Sequence, residues 1–200
     1  MKEYLNVLKD NILFRGFEST DIESILNCLS GRSISYKKSD TILLCGNAVP
    51  FIGIVLSGSV NIINEDIQGN INIIARLGVN EIFAEAFACA GIKESPVTVQ
   101  ATENCDVLFI DCKRIVKSCH NACAFHTSLI ENMLGLVARK NIGLNQKIEI
   151  MSKKTIREKL LMFFEIQRRV FHSKKFVIPY NREALAHYIG VDRSAMSREL

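Results

Sequence analysis

The chain has 200 residues, 48% of them hydrophobic and 23% charged, which supports a packed core and excludes a disordered chain. Its net charge of +4 is uneven: from Ser152 onward eleven basic residues stand against five acidic ones, so this quarter carries about +6 and the rest about −2. The asymmetry excludes little by itself, but it favours a polyanionic partner, nucleic acid ahead of membrane, over a merely solvated basic face.

The apolar runs, such as residues 107–110, are far too short to span a bilayer, and the first eleven residues lack a signal-peptide pattern. We therefore expect a cytoplasmic protein with no membrane partner. The odd number of cysteines, without a CxxC pair, indicates reduced thiols, which we expect to be small buried hydrophobic side chains. They are Cys28, Cys45, Cys89, Cys105, Cys112, Cys119 and Cys123.

Residues up to Asp111 are predicted to form strands after a short helical opening. Runs of β-branched and aromatic residues at 34–46, 50–64, 69–78 and 96–110 are broken by glycines, which is typical of a small all-β roll or barrel. The Ala-rich stretch 81–94 interrupts this pattern. We expect a short helical turn there, at a place suited to a ligand-binding insertion.

The next segment, 112–151, changes to a helical period whose apolar positions are spaced alternately four and three residues apart, as in a coiled-coil seam. Such a stripe would also fit a helix that packs on its own β-roll. Asn141 at an a position favours a parallel homodimer, because it can pair with its twin and fix the register. The predicted dimer interface comprises Ile130, Leu134, Val137, Asn141, Leu144, Ile148 and Met151.

After Ser152, Thr155 and Glu158 have the spacing of a capping box, which predicts the start of a further helix. Residues 172–179 are predicted to be a short strand-like connector that Pro179 ends.

The last twenty residues predict two short helices. Asn181 is the expected N-cap of the first, Gly190 its left-handed end, and Asp192 the N-cap of the second. Val191 and Met196 are spaced for a hydrophobic staple. Two helices joined by a glycine-containing turn are a helix-turn-helix.

On the second helix, Met196 and Leu200 are expected to face inward. Arg193, Ser194, Ser197 and Arg198 then share the exposed side. Arginine forks and short hydroxyls are suited to guanine edges and phosphates in a major groove.

The residues of this segment resemble the helix-turn-helix signature of the Crp/Fnr family of bacterial transcription regulators. Residues 46–62 are similar to that family's glycine-punctuated β-roll, and residues 136–164 to its dimerisation helix, hinge and following helix. The signature positions are Arg182, Glu183, Leu185, Ala186, Ile189, Gly190, Met196, Ser197, Arg198 and Leu200.

The resemblance implies an α+β fold in three parts: an effector-sensing β-roll of the jelly-roll type at 1–111, a dimerisation helix at 112–151, and a winged helix-turn-helix at 152–200. It further implies a ligand-responsive homodimer that binds a palindromic operator in double-stranded DNA and contacts RNA polymerase. The wing would follow Leu200, so we expect the sequence to be part of a longer protein. The implied DNA-binding residues are Asn181, Arg182, Arg193, Ser194, Ser197 and Arg198.

The resemblance also implies an effector pocket around Glu85, Ala86, Ser95 and Pro96. Relatives that bind cyclic AMP have Gly-Glu at its start and Arg-Ser or Arg-Thr at its end. Here Ala84 precedes Glu85, and Ser95 stands at the arginine position, where a neutral hydroxyl cannot pair with a cyclic phosphate. Cyclic AMP is therefore disfavoured, and an unknown small-molecule effector is expected. Lys93 could reach an anion, although a solvated lysine is the commoner case.

Other chemistries have weaker support. Cys119, His120, Cys123 and His126 have helical spacing for a metal, but they could equally be ordinary helix residues, and we predict no metal and no cofactor. The cysteines are not grouped as in an iron–sulfur site, and no residue argues for haem. The four histidines lie outside the β region, and no phosphate loop or GxSxG elbow is present, so we expect no enzyme. A ligand-binding or protein-interaction module without DNA binding is the alternative.

Overall fold

The structure is a computed structural model that describes residues 2–65, 71–116, 124–178 and 180–200. The chain divides into two units, Met1–Val137 and Ala138–Leu200. The boundary between them lies inside the predicted dimerisation helix, so the three predicted segments 1–111, 112–151 and 152–200 stay a prediction.

The first unit begins with helices, as the sequence predicts. Helix α1 spans Leu5–Lys9 and α2 spans Ser19–Cys28, with a 3-10 turn at Ile12–Phe14 between them. A capping box between Glu18 and Asp21 begins α2. The apolar sides of both helices are buried in one core with the outer face of a β-sheet.

The strands form two antiparallel four-stranded sheets, which confirms the predicted β-roll of the jelly-roll type. The strand order is β1-β8-β3-β6 in one sheet and β2-β7-β4-β5 in the other. The strands are β1 (Arg32–Tyr36), β2 (Thr41–Leu43), β3 (Phe51–Ser57), β4 (Val60–Glu65), β5 (Ile71–Leu77), β6 (Ile82–Phe83), β7 (Thr98–Ala101) and β8 (Cys105–Asp111).

The interior of the roll is filled by side chains from both sheets. Phe83 lies directly against Gly53 of β3, where a Cβ atom would come within 2.1 Å of the phenyl ring. Gly53 is therefore required by close packing, and its φ angle is not what demands glycine. Gly58, in the turn between β3 and β4, is required for two reasons: its φ of 73° is left-handed, and a Cβ there would come within 2.4 Å of Asn104 O.

The predicted helical insertion is present between β6 and β7. Helix α3 spans Glu85–Cys89 and begins after Ala84, whose φ of 63° is left-handed. Residues 112–151 contain α4 (Cys112–Val116) and α5 (Ala124–Met151).

Helix α5 buries Leu129, Met133 and Leu136 in the core of the first unit. The predicted seam positions Ile130, Leu134 and Val137 each follow one of these residues directly, so the seam lies on the neighbouring face of the helix. The helix therefore packs on its own roll, as one alternative held, mainly through residues outside the predicted dimer seam; of the seam residues, Val137 also packs against this core.

The second unit packs three helices on the end of α5: α6 (Ile156–Phe171), α7 (Arg182–Ile189) and α8 (Arg193–Glu199). The predicted capping box of α6 is confirmed: Thr155 Oγ1 accepts from Glu158 N at 3.2 Å and Glu158 Oε2 accepts from Thr155 N at 3.0 Å. These hydrogen bonds lower the pKa of Glu158, the backbone N–H of Thr155 being the chief cause.

Three predictions about local structure are wrong. Residues 172–178 of the predicted connector contain no strand, since the chain runs there as turns and irregular backbone without pairing to a neighbour; Pro179 lies outside the described residues. Leu200 is exposed and does not face inward; it follows Glu199, the last residue of α8. Of the five described cysteines only Cys105 and Cys112 are buried; Cys28, Cys45 and Cys89 lie at surface-exposed ends of helices or loops.

No helix in the described ranges is long and apolar enough to cross a membrane.

Candidate functional site

The turn between α7 and α8 is held by helix caps at both sides. Gly190 ends α7 with φ 63° and ψ 54°, and the next N–H, of Val191, donates to Ala186 O at 3.0 Å. Asp192 then caps α8, its Oδ1 accepting from Ala195 N at 2.8 Å. These caps are the predicted ones, and they fix the direction in which α8 leaves the turn.

Two further side chains support this turn, and the sequence pattern did not indicate them. Lys159 Nζ donates to Ile189 O at 3.4 Å and lies 3.5 Å from Gly190 O, so a cation stands at the carbonyl end of α7. The end of the Met151 side chain packs on Gly190, where an added Cβ would meet Met151 Cε at 2.6 Å. Met151, predicted for the dimer interface, thus also contacts the turn. Neither contact could be predicted from the sequence, because the residues involved are far apart in the chain and follow no fixed spacing.

Helix α8 has one buried and one exposed side. Met196 is completely buried, and Val191 packs against the same core, in agreement with the predicted staple. Arg193, Ser194 and Arg198 are exposed, and Ser197 is half-buried. Four of the predicted DNA-binding residues therefore lie on this helix outside its buried side.

The other two predicted DNA-binding residues begin α7. Asn181 is the N-cap, and its Oδ1 accepts from Ala184 N at 2.8 Å. Arg182 is the first helical residue and is exposed. The amide oxygen of Asn181 is therefore engaged in the cap, whereas Arg182 presents its side chain to solvent.

Not all of the basic excess in this unit is available for a partner. Glu165 Oε2 accepts from Arg168 Nε at 2.7 Å, and Glu165 Oε1 accepts from Arg169 Nε at 3.1 Å. The two guanidinium groups lower the pKa of Glu165 to about 2, and the hydrogen bonds from Arg168 are the larger cause. The carboxylate stays charged at neutral pH and offsets part of the positive charge of the end of α6.

The predicted dimer interface is an exposed apolar stripe on α5. Leu134 is 69% exposed and Ile148 65%, and Ile130, Leu144 and Met151 are also exposed. Val137 is half-buried, and Asn141, which is exposed, accepts from Asn145 Nδ2 at 3.0 Å. The predicted seam thus consists largely of side chains that the chain leaves without cover.

The predicted effector residues occupy the insertion after β6. Glu85 is the first residue of α3 and is only 5% exposed, while Ala86 beside it is exposed. Ser95 is 2% exposed, and its hydroxyl serves its own turn: Oγ donates to Val97 O at 2.6 Å and accepts from Val97 N at 3.2 Å. Pro96 is exposed. The Ser95 hydroxyl is therefore committed to the backbone.

Backbone bonds tie the end of this insertion to the loop before β3. Ser95 N donates to Asn47 O at 2.7 Å, and Gly46 N donates to Ser95 O at 2.8 Å. An isolated antiparallel bridge joins Ala48 to Glu94. The structure consequently brings Ser95 to the 46–48 loop and leaves Glu85 at the start of α3.

A groove of about 730 Å³ that sequence reasoning missed lies beside strand β1. Aromatic and aliphatic side chains line it, with Arg32 and Arg114 among them. Phe109 stacks edge-to-face with both Phe51 and Tyr36 there, at ring-centroid distances of 4.8 and 6.3 Å. The sequence of β1 gave no indication of this groove, because a groove forms only when strands from distant parts of the sequence come together.

The possible metal residues Cys119, His120 and Cys123 lie outside the described residues. His126 is buried. In the parts of the chain that the structure describes, no group of three or more His, Cys, Asp or Glu side chains could hold a metal ion.

The fold is shared with solved structures at low sequence identity. The catabolite activator protein of Thermus thermophilus is 19% identical, with a TM-score of 0.58 over 94% of this chain and 84% of that chain. The sensor domain of the transcriptional regulator DNR from Pseudomonas aeruginosa is 19% identical, with a TM-score of 0.58 over 77% of this chain and 95% of that chain. A transcriptional regulator from Thermotoga maritima is 20% identical, with a TM-score of 0.56 over 67% and 99%.

No curated protein sequence matches the chain. Residues 33–121 match the family model described as the cyclic nucleotide-binding domain. This segment covers the roll from β1 to β8, including the α3 insertion. The chain therefore contains a segment similar to a cyclic nucleotide-binding domain, within a fold that it shares with the three structures above.

Proposed function

We propose that this protein is a ligand-responsive, homodimeric transcription regulator of the Crp/Fnr type that binds a palindromic operator in double-stranded DNA. The observation that carries the proposal is the exposed side of α8. Arg193, Ser194 and Arg198 project there from a helix that Met196 anchors and Asp192 caps. A short polar helix held at a fixed angle on a small core is suited to entering a major groove.

The side chains of α8 would divide the recognition between them. An arginine fork can donate to O6 and N7 of guanine, and serine hydroxyls can bond to base edges or phosphates. Arg182, at the start of α7, is suited to a phosphate contact that positions the unit without reading sequence. The charge of about +6 after Ser152 would supply the salt-dependent part of the affinity.

The exposed stripe of α5 supports the dimer. A chain that leaves Leu134, Leu144 and Ile148 in water gains free energy when a second copy covers them. Two copies related by a twofold axis would present two α8 helices to two half-sites, the usual arrangement for palindromic operators. RNA polymerase is the further partner that this role implies.

An effector bound at the α3 insertion would bias the relative position of the two α5 helices and, through them, both α8 helices. Glu85 is suited to accept from a hydroxyl of that effector. We propose an effector other than cyclic AMP, because Ser95 is neutral and its hydroxyl is used within its own turn.

The proposal is tested by selecting bound duplexes from a random-sequence pool and titrating salt against the enriched sequence. We expect a palindrome whose affinity falls steeply with salt. Arg198→Ala should then relax specificity at one position of each half-site, at a cost of roughly 1–3 kcal/mol. Lys38→Ala removes an equal charge from an exposed lysine of the first unit and is the matched control.

Enrichment of no sequence, with and without cell-extract metabolites, would contradict the proposal and favour the interaction-module alternative. Equal losses for Arg198→Ala and Lys38→Ala would show that α8 contributes only charge. In either case the assignment of α8 as the reading helix fails.

A further inference from the structure

Two cysteine thiols from different elements lie next to each other in the first unit. Cys89 Sγ, on the last residue of α3, is 3.4 Å from Cys112 Sγ, on the first residue of α4. Cys112 is 3% exposed and belongs to the core beneath α3, whereas Cys89 is exposed. The pair therefore combines one thiol that solvent reaches with one that it does not.

This proximity distinguishes the pair from the remaining described cysteines. Cys28 and Cys45 are exposed, Cys105 is buried inside the roll, and none of the three contacts another thiol among the described residues. Cys89 and Cys112 are separated by 23 positions, so their contact results from the fold of the insertion against the end of β8.

We infer that Cys89 and Cys112 form a reversible disulfide that fastens the α3 insertion to α4. A disulfide requires sulfur atoms at about 2.05 Å, so these two must approach by about 1.3 Å. We expect Cys89 to be the residue that moves, because it is followed by a turn in which Gly91 has a φ of 66°. Cys112 is held in place, since its N–H donates to Pro50 O at 3.2 Å.

The two thiols have different parts in the reaction. Burial is the main cause, and the hydrogen bond with the Cys89 thiol the second, of a pKa of about 12 for Cys112, so Cys112 is a protonated thiol at neutral pH. Cys89 is accessible and is the group that meets an oxidant. The accessible thiol therefore reacts first with an external disulfide, and Cys112, 3.4 Å away, is the thiol positioned to attack the mixed disulfide that results.

The oxidant is a low-molecular-weight disulfide such as oxidised glutathione. The Cys89 thiolate attacks one sulfur of glutathione disulfide, forming a mixed disulfide and releasing one glutathione thiolate. Cys112 then gives up its proton and attacks Cys89 Sγ, which releases the second glutathione. Two protein thiols are oxidised, one glutathione disulfide is reduced to two glutathione molecules, and their thiolates take up the two protons.

The position of the bond gives it a consequence that rests on the proposed function. Helix α3 carries Glu85 at its other end, and α4 begins at the end of β8. Fastening one to the other would restrict the insertion in which the effector is proposed to bind. The disulfide itself does not depend on that role.

The test uses the full chain equilibrated in glutathione buffers of graded redox poise, alkylated and digested for mass spectrometry. We expect a crosslinked peptide pair that joins Cys89 to Cys112 and disappears on reduction. Cys89→Ser removes one of the two sulfur atoms and should abolish this peptide pair, whereas Cys45→Ser, which removes an exposed thiol that contacts no other thiol among the described residues, should leave its yield unchanged. Hydrogen exchange of residues 84–92 should slow in the oxidised protein.

Glutathione attached to Cys89 without the crosslink, or Cys89 joined to a different cysteine, would overturn the inference. So would unchanged exchange of residues 84–92 in a fully crosslinked sample, because α3 would then not be fastened. Cys112→Ala, which removes the other sulfur atom from the buried side of the pair, should likewise give no crosslink and is the second variant if Cys89→Ser fails to fold. These readouts need no DNA, so failure of the proposed function would leave them interpretable.

Discussion

Asp106 is a single carboxylate that joins the N-terminal segment to the roll. Its Oδ2 accepts from Tyr4 Oη at 2.7 Å and from Ser57 Oγ at 2.7 Å, and its Oδ1 accepts from Ser35 Oγ. The hydroxyls of Ser35, Ser57 and Tyr4, in that order, lower the pKa of Asp106. Three donors prefer a charged acceptor, so this group stabilises the fold more when it is ionised than when it is protonated.

The pH dependence follows from the direction of that shift. The folded-state pKa lies below the unfolded value of about 3.9, so the contribution is complete above that value and is lost as pH falls through the folded pKa. We expect Asp106→Asn to lower the free energy of unfolding at pH 7 by about 0.5–1 kcal/mol, because Asp106 is only half-buried and a neutral amide accepts these hydrogen bonds more weakly. Urea unfolding at pH 7 and at acidic pH measures the difference, which should shrink at acidic pH.

Asp10→Asn is the control for Asp106→Asn, because Asp10 is exposed and makes no side-chain hydrogen bond within the described part of the chain. A difference between wild type and Asp106→Asn that stays constant with pH would show that lost packing, and not the charge, is responsible.

Gly53 and Phe83 form a close contact inside the roll, next to the proposed effector insertion. A Cβ at position 53 would lie 2.1 Å from the ring of the fully buried Phe83. We expect Gly53→Ala to destabilise the protein by about 1–3 kcal/mol through overpacking. Thermal unfolding would measure this, with Gly78→Ala as the control, since a Cβ there meets no atom closer than 3.9 Å.

The cause of that loss is tested by a second change in the same contact. If the ring is what the new methyl group strikes, Phe83→Leu should be less harmful in the Gly53→Ala background than in the wild type. Strictly additive effects of the two substitutions would instead place the strain in the backbone of β3.

At the scale of elements, α5 shows what periodicity can and cannot tell. The alternation of four- and three-residue steps predicted one apolar face of the helix, and the structure leaves most of that face exposed, with Val137 as the half-buried exception. The same helix buries Leu129, Met133 and Leu136 on the roll. When apolar residues occupy two faces of one helix, both faces show helical spacing. The sequence alone could therefore not indicate which face packs within the chain.

The predicted dimer seam is tested by introducing a charge at a seam position that is largely exposed in the single chain. Leu134 is largely exposed, so Leu134→Glu should leave the fold of the single chain intact while it disrupts the dimer. Each dimer loses two apolar contacts worth about 1.5–3 kcal/mol each, which predicts a dissociation constant roughly 10²–10⁴-fold higher. Sedimentation velocity over a range of concentrations measures it.

Ile142→Glu is the matched control for Leu134→Glu. Ile142 is exposed on the same helix but stands outside the four-and-three spacing of the seam. Equal weakening by both substitutions would contradict the parallel seam, and a dimer insensitive to both would place the interface elsewhere.

The effector insertion and the turn before α8 were predictable to different degrees. Caps at Asn181, Gly190 and Asp192 depend on residues a few positions apart, and all three are where the sequence indicated. The commitment of Ser95 to its own turn and the Cys89–Cys112 contact depend on how distant strands bring segments together. The prediction that Leu200 faces inward was wrong, because periodicity identifies a buried face only where another element packs against the helix.

At the scale of the molecule, the two units have separate cores. The core of the second unit contains Ile150 from α5 and the buried sides of α6, α7 and α8. Phe163 is its central side chain: it is fully buried and packs edge-to-face on Phe164 and Tyr188. The position of α8, and with it the proposed reading surface, depends on this core.

Separate cores predict that the second unit can be loosened without loosening the first. Phe163→Ala should destabilise residues 156–200 by about 3–5 kcal/mol, because it removes a buried ring and leaves a cavity. Hydrogen exchange by mass spectrometry should show faster exchange in peptides from α6, α7 and α8 and unchanged exchange in peptides from β3 and β8. Leu161→Ala, on the exposed side of α6, should change neither set. Uniform acceleration across both units would mean that the chain unfolds as one cooperative body, and then any substitution that weakens the roll would also weaken DNA binding.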